Sequence, residues 1–162
     1  MKKLWLCLVL LLLALPAAAQ FRWNIVGSAA QLDQSALISY RYSGARLEFQ
    51  PATTGQMVAR YPVRNTSNLF PEPNWDIFRM TYQDSDGFGS ITARLIVVEE
   101  CSGEEELLCQ IESSDTGAGT SCSICIFPDD INFQTHAYFI EAELDRSEPF
   151  SEVALIMMSL SH

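Results

Sequence analysis

Asp84-x-Asp86-Gly87-x-Gly89 is the segment of this chain best suited by residue type to hold a hard cation, since spaced carboxylates ahead of glycines supply oxygen ligands on a sharp turn. Laid on a helix–loop–helix calcium loop, Asp84 and Asp86 take the third and fifth ligand positions. The first position is then Tyr82 and the bidentate position is Ala93, and neither can ligate. Asp and Gly are also the residues a tight hairpin connection demands. Turn chemistry is therefore the expectation, with Asp84 and Asp86 as the candidate ligands of an irregular metal site. No cofactor is expected.

Other groups capable of chemistry are sparse. Glu99, Glu100, Glu104, Glu105 and Glu106 gather about one turn and read as a solvated, aggregation-resistant edge. Glu141 and Glu143 stand two apart in a strand-like run. A glycosidase needs two carboxyls about 5 to 9 Å apart, but any such pair on a strand meets that spacing. The histidines are His136 and His162, and there is neither a Gly-x-Ser-x-Gly elbow nor a His-Glu-x-x-His pair. Nothing in this inventory points to catalysis; a hydrolase would have to rest on His136. Aromatic residues in turns remain. Phe70 and Trp75 flank Pro71 and Pro73, and Phe88 lies between two glycines. Rings in such places can stack on a sugar face or a peptide, which makes Phe70, Trp75 and Phe88 the candidate ligand-binding residues. The competing reading of Trp75 is a plug closing one end of the fold.

The elements that must position these groups begin with a leader. Lys2 and Lys3 precede an uncharged run from Leu4 to Leu15, then Pro16 and Ala17-Ala18-Ala19. This is the three-part pattern of a secretory signal, and the run is shorter than the roughly 20 apolar residues of a membrane span. Residues 1–19 are expected to be removed before Gln20, leaving 20–162 as a single domain without membrane insertion, secreted or periplasmic. Loss of the two lysines takes the formal net charge from -10 to -12 and leaves eight arginines as the only cations. So acidic a chain repels phosphate backbones, which excludes nucleic acid as an expected partner.

Four cysteines stay with the domain: Cys101, Cys109, Cys122 and Cys125. An even set in an exported chain reads as a disulfide framework rather than a zinc or redox site. Distance favours local pairing. Cys101 and Cys109 flank a turn, whereas Cys122 and Cys125 can bond each other only if their segment is itself a turn. On a regular strand they would lie roughly 10 Å apart and face opposite sides. Cys101–Cys109 with Cys122–Cys125 is the expected pattern.

Alternation at period 2 dominates the rest. Met57, Ala59, Tyr61 and Val63 form one face of a run; Phe78, Met80 and Tyr82, then Ile91, Ala93, Leu95 and Val97, then Tyr138, Ile140, Ala142 and Leu144 form others. Residues 153–160 are apolar on nearly both faces, as in a central strand. With earlier runs at 21–31, 37–42 and 46–49, about nine short strands are separated by turn residues. The expectation is an all-β antiparallel sandwich, jelly-roll or immunoglobulin-like, with a closed β-barrel as the alternative. Its expected role is that of a non-catalytic binding module for a glycan or protein ligand, with a structural or assembly subunit of the envelope and a secreted hydrolase as alternatives.

Overall fold

The computed structural model describes residues 22–33, 39–65, 73–128 and 131–162. The leader, its cleavage point before Gln20 and the candidate Phe70 lie outside these residues. The described chain forms β1 (Trp23–Val26), a single 3-10 turn (Gly27–Ala29), β2 (Gln31–Leu32), β3 (Tyr40–Ser43), β4 (Arg46–Phe49), β5 (Gly55–Val63) and β6 (Ile77–Asp84). There follow β7 (Gly89–Glu99), β8 (Glu105–Glu112), β9 (Ser121–Ile126), β10 (His136–Arg146) and β11 (Val153–Ser161). No helix among the described residues is long and apolar enough to cross a membrane.

Two antiparallel sheets face each other. The first has the order β3-β4-β11-β6-β9, with β1 also paired to β11; the second has the order β2-β5-β10-β7-β8. Thus β4-β11-β6-β9 opposes β5-β10-β7-β8, the interleaved order of a jelly roll. The sheets stay separate and do not close into a barrel.

The alternating runs become the strands and their apolar faces become the core. Tyr61, Phe78, Met80, Tyr82, Ile91, Leu95, Ile140, Leu144 and Leu155 are all buried. Ala59, Ala142 and Ala93 sit side by side across β5, β10 and β7, so the second sheet carries little bulk at its centre. On the outer face of these strands, Glu141 pairs with Arg60 at 2.9 Å and Arg94 at 3.5 Å, and Glu143 pairs with Arg94 at 3.0 Å. These two carboxylates are held in an ion-pair ladder on a flat sheet.

The strand expected over 21–31 is divided instead. Val26 leads into the 3-10 turn, and the chain crosses from the first sheet (β1 on β11) to the second (β2 on β5). Gly27 makes the crossing possible: a Cβ there would stand 2.1 Å from the Leu155 carbonyl oxygen. The Tyr61 hydroxyl donates to the Gly27 carbonyl at 2.9 Å and closes the crossing from beneath.

The expected disulfide pattern is wrong: Cys109 bonds Cys125, with a Cα–Cα distance of 6.1 Å, and Cys101 and Cys122 are free and exposed. The turn between β7 and β8 closes early, with Glu99 N–H donating to Glu104 O and Gly103 N–H to Glu99 O. Cys101 is therefore stranded at the tip while Cys109 lies well along β8. A bulge between Leu95 and Ile96 shifts the register so that Cys109 opposes Leu95 and points inward. Across the sandwich, β9 is a regular strand, so Cys122 and Cys125 do face opposite sides, and Cys125 is the one turned toward β8. The bond joins the edge strands of two different sheets, a route that spacing along the chain does not reveal.

Candidate functional site

The first sheet carries a cleft of about 320 Å³ at the end where β10 hands over to β11. Its floor follows from register. On the outer face, Gln83 of β6, Ala154 of β11, Glu48 of β4 and Arg41 of β3 stand in one row. Three of these side chains are long and one is a methyl, so the row dips at Ala154. The hairpin carrying Arg41 and Glu48 turns over Gly44–Ala45, with Gly44 at φ 62°, a conformation that costs glycine nothing.

Polar groups around the dip hold one another. Arg41 Nε donates to Glu48 Oε1 at 2.6 Å. Arg46 reaches over β11, its Nη1 donating to Gln83 Oε1 at 3.0 Å, and Gln83 Nε2 donates in turn to Glu152 Oε2. The rim is the connection 147–152, where Phe150 follows Pro149 and is 91% exposed.

Arg146, at the end of β10, is buried and sets that rim. Its Nη2 donates to the carbonyls of Gln50 (2.6 Å) and Thr53 and to Thr53 Oγ1 (3.0 Å), and Nη1 donates to Ser151 O at 3.4 Å. The guanidinium lies 4.7 Å from the centre of the Phe49 ring. Burial, and then the nearby Arg41, lower its pKa from the ordinary value, with Glu48 opposing them. One side chain thereby ties the β4–β5 connection to the loop that bears Phe150. Further bonds fix that loop from the other side: Ser85 N–H donates to Glu152 O at 3.0 Å and Glu152 N–H to Ser85 Oγ at 2.9 Å. An exposed ring on a fixed loop, beside planar hydrogen-bonding groups, suits a ligand with an apolar face and many oxygen atoms.

The residues singled out from sequence are placed elsewhere. Trp75 is buried and packs edge-on against Phe133, so it plugs the sandwich and presents no ring to a ligand. Phe88 is 56% exposed at the β6–β7 tip, where its carbonyl accepts from Ser147 N–H at 2.8 Å. It shares an end of the sandwich with Phe150 but does not line the cleft. Phe88→Ala should cost about 1 kcal/mol or less, against about 3–5 kcal/mol for a core Phe; a thermal melt reads the difference.

Asp84 is buried, with Oδ2 accepting from Ser113 Oγ at 2.6 Å, and Asp86 Oδ1 accepts from Phe88 N–H at 3.2 Å. Burial pushes the Asp84 carboxyl pKa above its ordinary value; Ser113 works against this, and Asp115 and Asp86 add to it. Asp86 serves the β6–β7 turn, whereas Asp84 braces the β8–β9 connection through Ser113 and, by its carbonyl, through Thr116. Among the described residues no three His, Cys, Asp or Glu side chains converge as metal ligands. His136, at the start of β10, meets Thr135 Oγ1 at 2.7 Å and is not part of the cleft.

Sequence reasoning missed Phe150, Arg41 and Arg46. The available signal for Phe150 was an aromatic directly after a turn proline, in Pro149-Phe150.

No protein-family model matches the chain, and no curated protein sequence matches it. Solved structures do share its fold. A xylan-binding module, CBM15, superimposes with a TM-score of 0.50 at 14% identity, over 88% of this chain and 97% of that one. The Glycosylation Associate Protein (Gap123) complex from Streptococcus agalactiae gives 0.50 at 12% identity, over 88% of this chain and 26% of that one. At these identities the likeness is one of fold: a β-sandwich on which unrelated surfaces can be built.

Proposed function

We propose that this protein is an exported, non-catalytic carbohydrate-binding module whose ligand lies in the cleft beneath Phe150. The observation that carries this reading is Phe150 itself, 91% exposed on a loop pinned from both sides. A large ring already held out by a fixed loop loses little conformational freedom when a ligand covers it, so the arrangement favours binding. Sugars present a C–H face to such a ring and hydroxyls to groups like Gln83, Glu48 and Glu152 around it. The similarity of fold to a xylan-binding module supports the reading at the level of architecture. Export is supported by the Cys109–Cys125 bond, which an oxidising compartment maintains. It follows that exported material should have the mass of residues 20–162, and a mass retaining residues 1–19 would overturn that part of the reading.

The test is retention on polysaccharide in native gels, with a panel of neutral and acidic polymers. Phe150→Ala should weaken retention on the polymer that binds by roughly 2 kcal/mol, about thirtyfold, as a central contact residue does. Its stability should change by less than about 0.5 kcal/mol, because the ring packs on little. Undiminished binding by Phe150→Ala, or no binding by the unaltered protein to any member of the panel, would refute the assignment.

A further inference from the structure

Twenty acidic residues against ten basic ones leave this chain few cations to place, yet three of its eight arginines line one small cleft. Two of the three are occupied. Arg146 is committed to backbone carbonyls, and Arg41 is paired with Glu48. Arg46 differs. Among the described residues it forms no ion pair, and its one side-chain hydrogen bond goes to a neutral amide oxygen, that of Gln83. Glu152 accepts from the other end of that amide, so the oxygen of Gln83 is kept turned toward Arg46. A half-buried guanidinium has five donors in a planar fork, and four of these have no acceptor among the described residues.

We infer that the cleft is built for a saccharide bearing a carboxylate, so that the glycan bound is an acidic one containing uronic acid. This rests on the carbohydrate-binding reading above. The fork of Arg46 matches a carboxylate in bidentate fashion. Glu48 is paired with Arg41 and Glu152 is engaged by the Gln83 amide, so Arg46 is the cleft cation left to meet an anion, and the two carboxylates remain acceptors for hydroxyls. Phe150 takes the ring face. The three contacts together orient a sugar unit, and the one group that separates a uronic acid from its neutral counterpart is read by Arg46.

The experiment uses the exported protein with glucuronoxylan, polygalacturonate and alginate. Each is offered beside the same polymer after reduction of its carboxyl groups to alcohols, and affinities are read by affinity electrophoresis or calorimetry. At least one acidic polymer should bind about tenfold or more tightly than its reduced form, the scale of a charge-assisted bidentate contact, and added salt should narrow the gap. Arg46→Met should abolish the discrimination while the melting temperature stays near that of the parent. Arg46→Lys, which keeps the charge and loses the fork, should retain part of it. Arg60→Met removes the same charge from the far sheet and should leave the discrimination intact. Equal binding of acidic and reduced polymers overturns the carboxylate assignment and leaves the carbohydrate reading standing. Discrimination that survives in folded Arg46→Met overturns the role of Arg46. Failure of every polymer, neutral or acidic, overturns both readings.

Discussion

Replacing Arg146 with methionine is expected to destabilise the protein by about 3 kcal/mol, since a buried acceptor stripped of its donor costs about 1–3 kcal/mol and several are stripped at once. Methionine keeps an unbranched stem against Phe49 but offers no donor to Gln50 O, Thr53 O or Ser151 O. Part of the cost is returned, because a desolvated cation is removed and water can enter near the loop, which is why the estimate stays below the sum of the separate losses. Arg146→Lys should recover little, since one ammonium cannot meet acceptors that a planar fork reaches from two nitrogens. Binding should fall with stability, as the loop that bears Phe150 loses its tie to the β4–β5 connection. Urea unfolding measures the first effect, and amide exchange over residues 147–152 measures the second. A methionine variant within about 0.5 kcal/mol of the parent would show that the guanidinium is a bystander.

The second large effect concerns the bond between the sheets. Cys109→Ala with Cys125→Ala, or reduction, should lower stability by about 3 kcal/mol, the chain-entropy estimate for a loop of this size. The crosslink spans 16 residues and joins β8 to β9, two edge strands of opposite sheets. Beside a typical total of about 5–15 kcal/mol that loss is severe. Cys101→Ser and Cys122→Ser remove exposed thiols and should leave the urea midpoint unchanged. Insensitivity of the midpoint to reductant would refute the crosslink, and peptide mapping without reductant identifies it directly.

Local pattern was a sound guide wherever a strand has one dry face. In β5, β7 and β10 the alternating residues named from sequence are the ones buried, because period 2 and a two-layer core leave no other arrangement. Pattern failed where the answer depends on which strands become neighbours. Ala154 is unremarkable in an apolar run; it becomes the floor of a cleft only because β11 lies between β4 and β6. Cys109 and Cys125 belong together because two sheets stack, a relation between layers that distance along one chain segment cannot express. Phe150 carries little signal of its own, because Arg146-Ser147-Glu148-Pro149 has the residue types of a turn, and turn chemistry says nothing about the ring that follows it. Trp75, in an equally proline-rich setting, went the other way and is core. Proline context alone does not separate a plug from a platform.

The placement of β11 bears on how this protein comes to exist. Its partners are β6 on one side and β4 and β1 on the other, and Trp23 of β1 stands opposite Leu160. The first and last strands thus meet at the middle of one sheet. A polypeptide that emerges N-terminus first completes the second sheet, whose last member is β10, before the first. The first stays in three unjoined pieces, β1, β3-β4 and β6-β9, until residues 153–161 are available. Contacts so distant along the chain place folding in the slow, millisecond-to-second regime. During that interval the unjoined pieces expose strand edges and apolar faces, the condition in which a chain aggregates or is held by a chaperone.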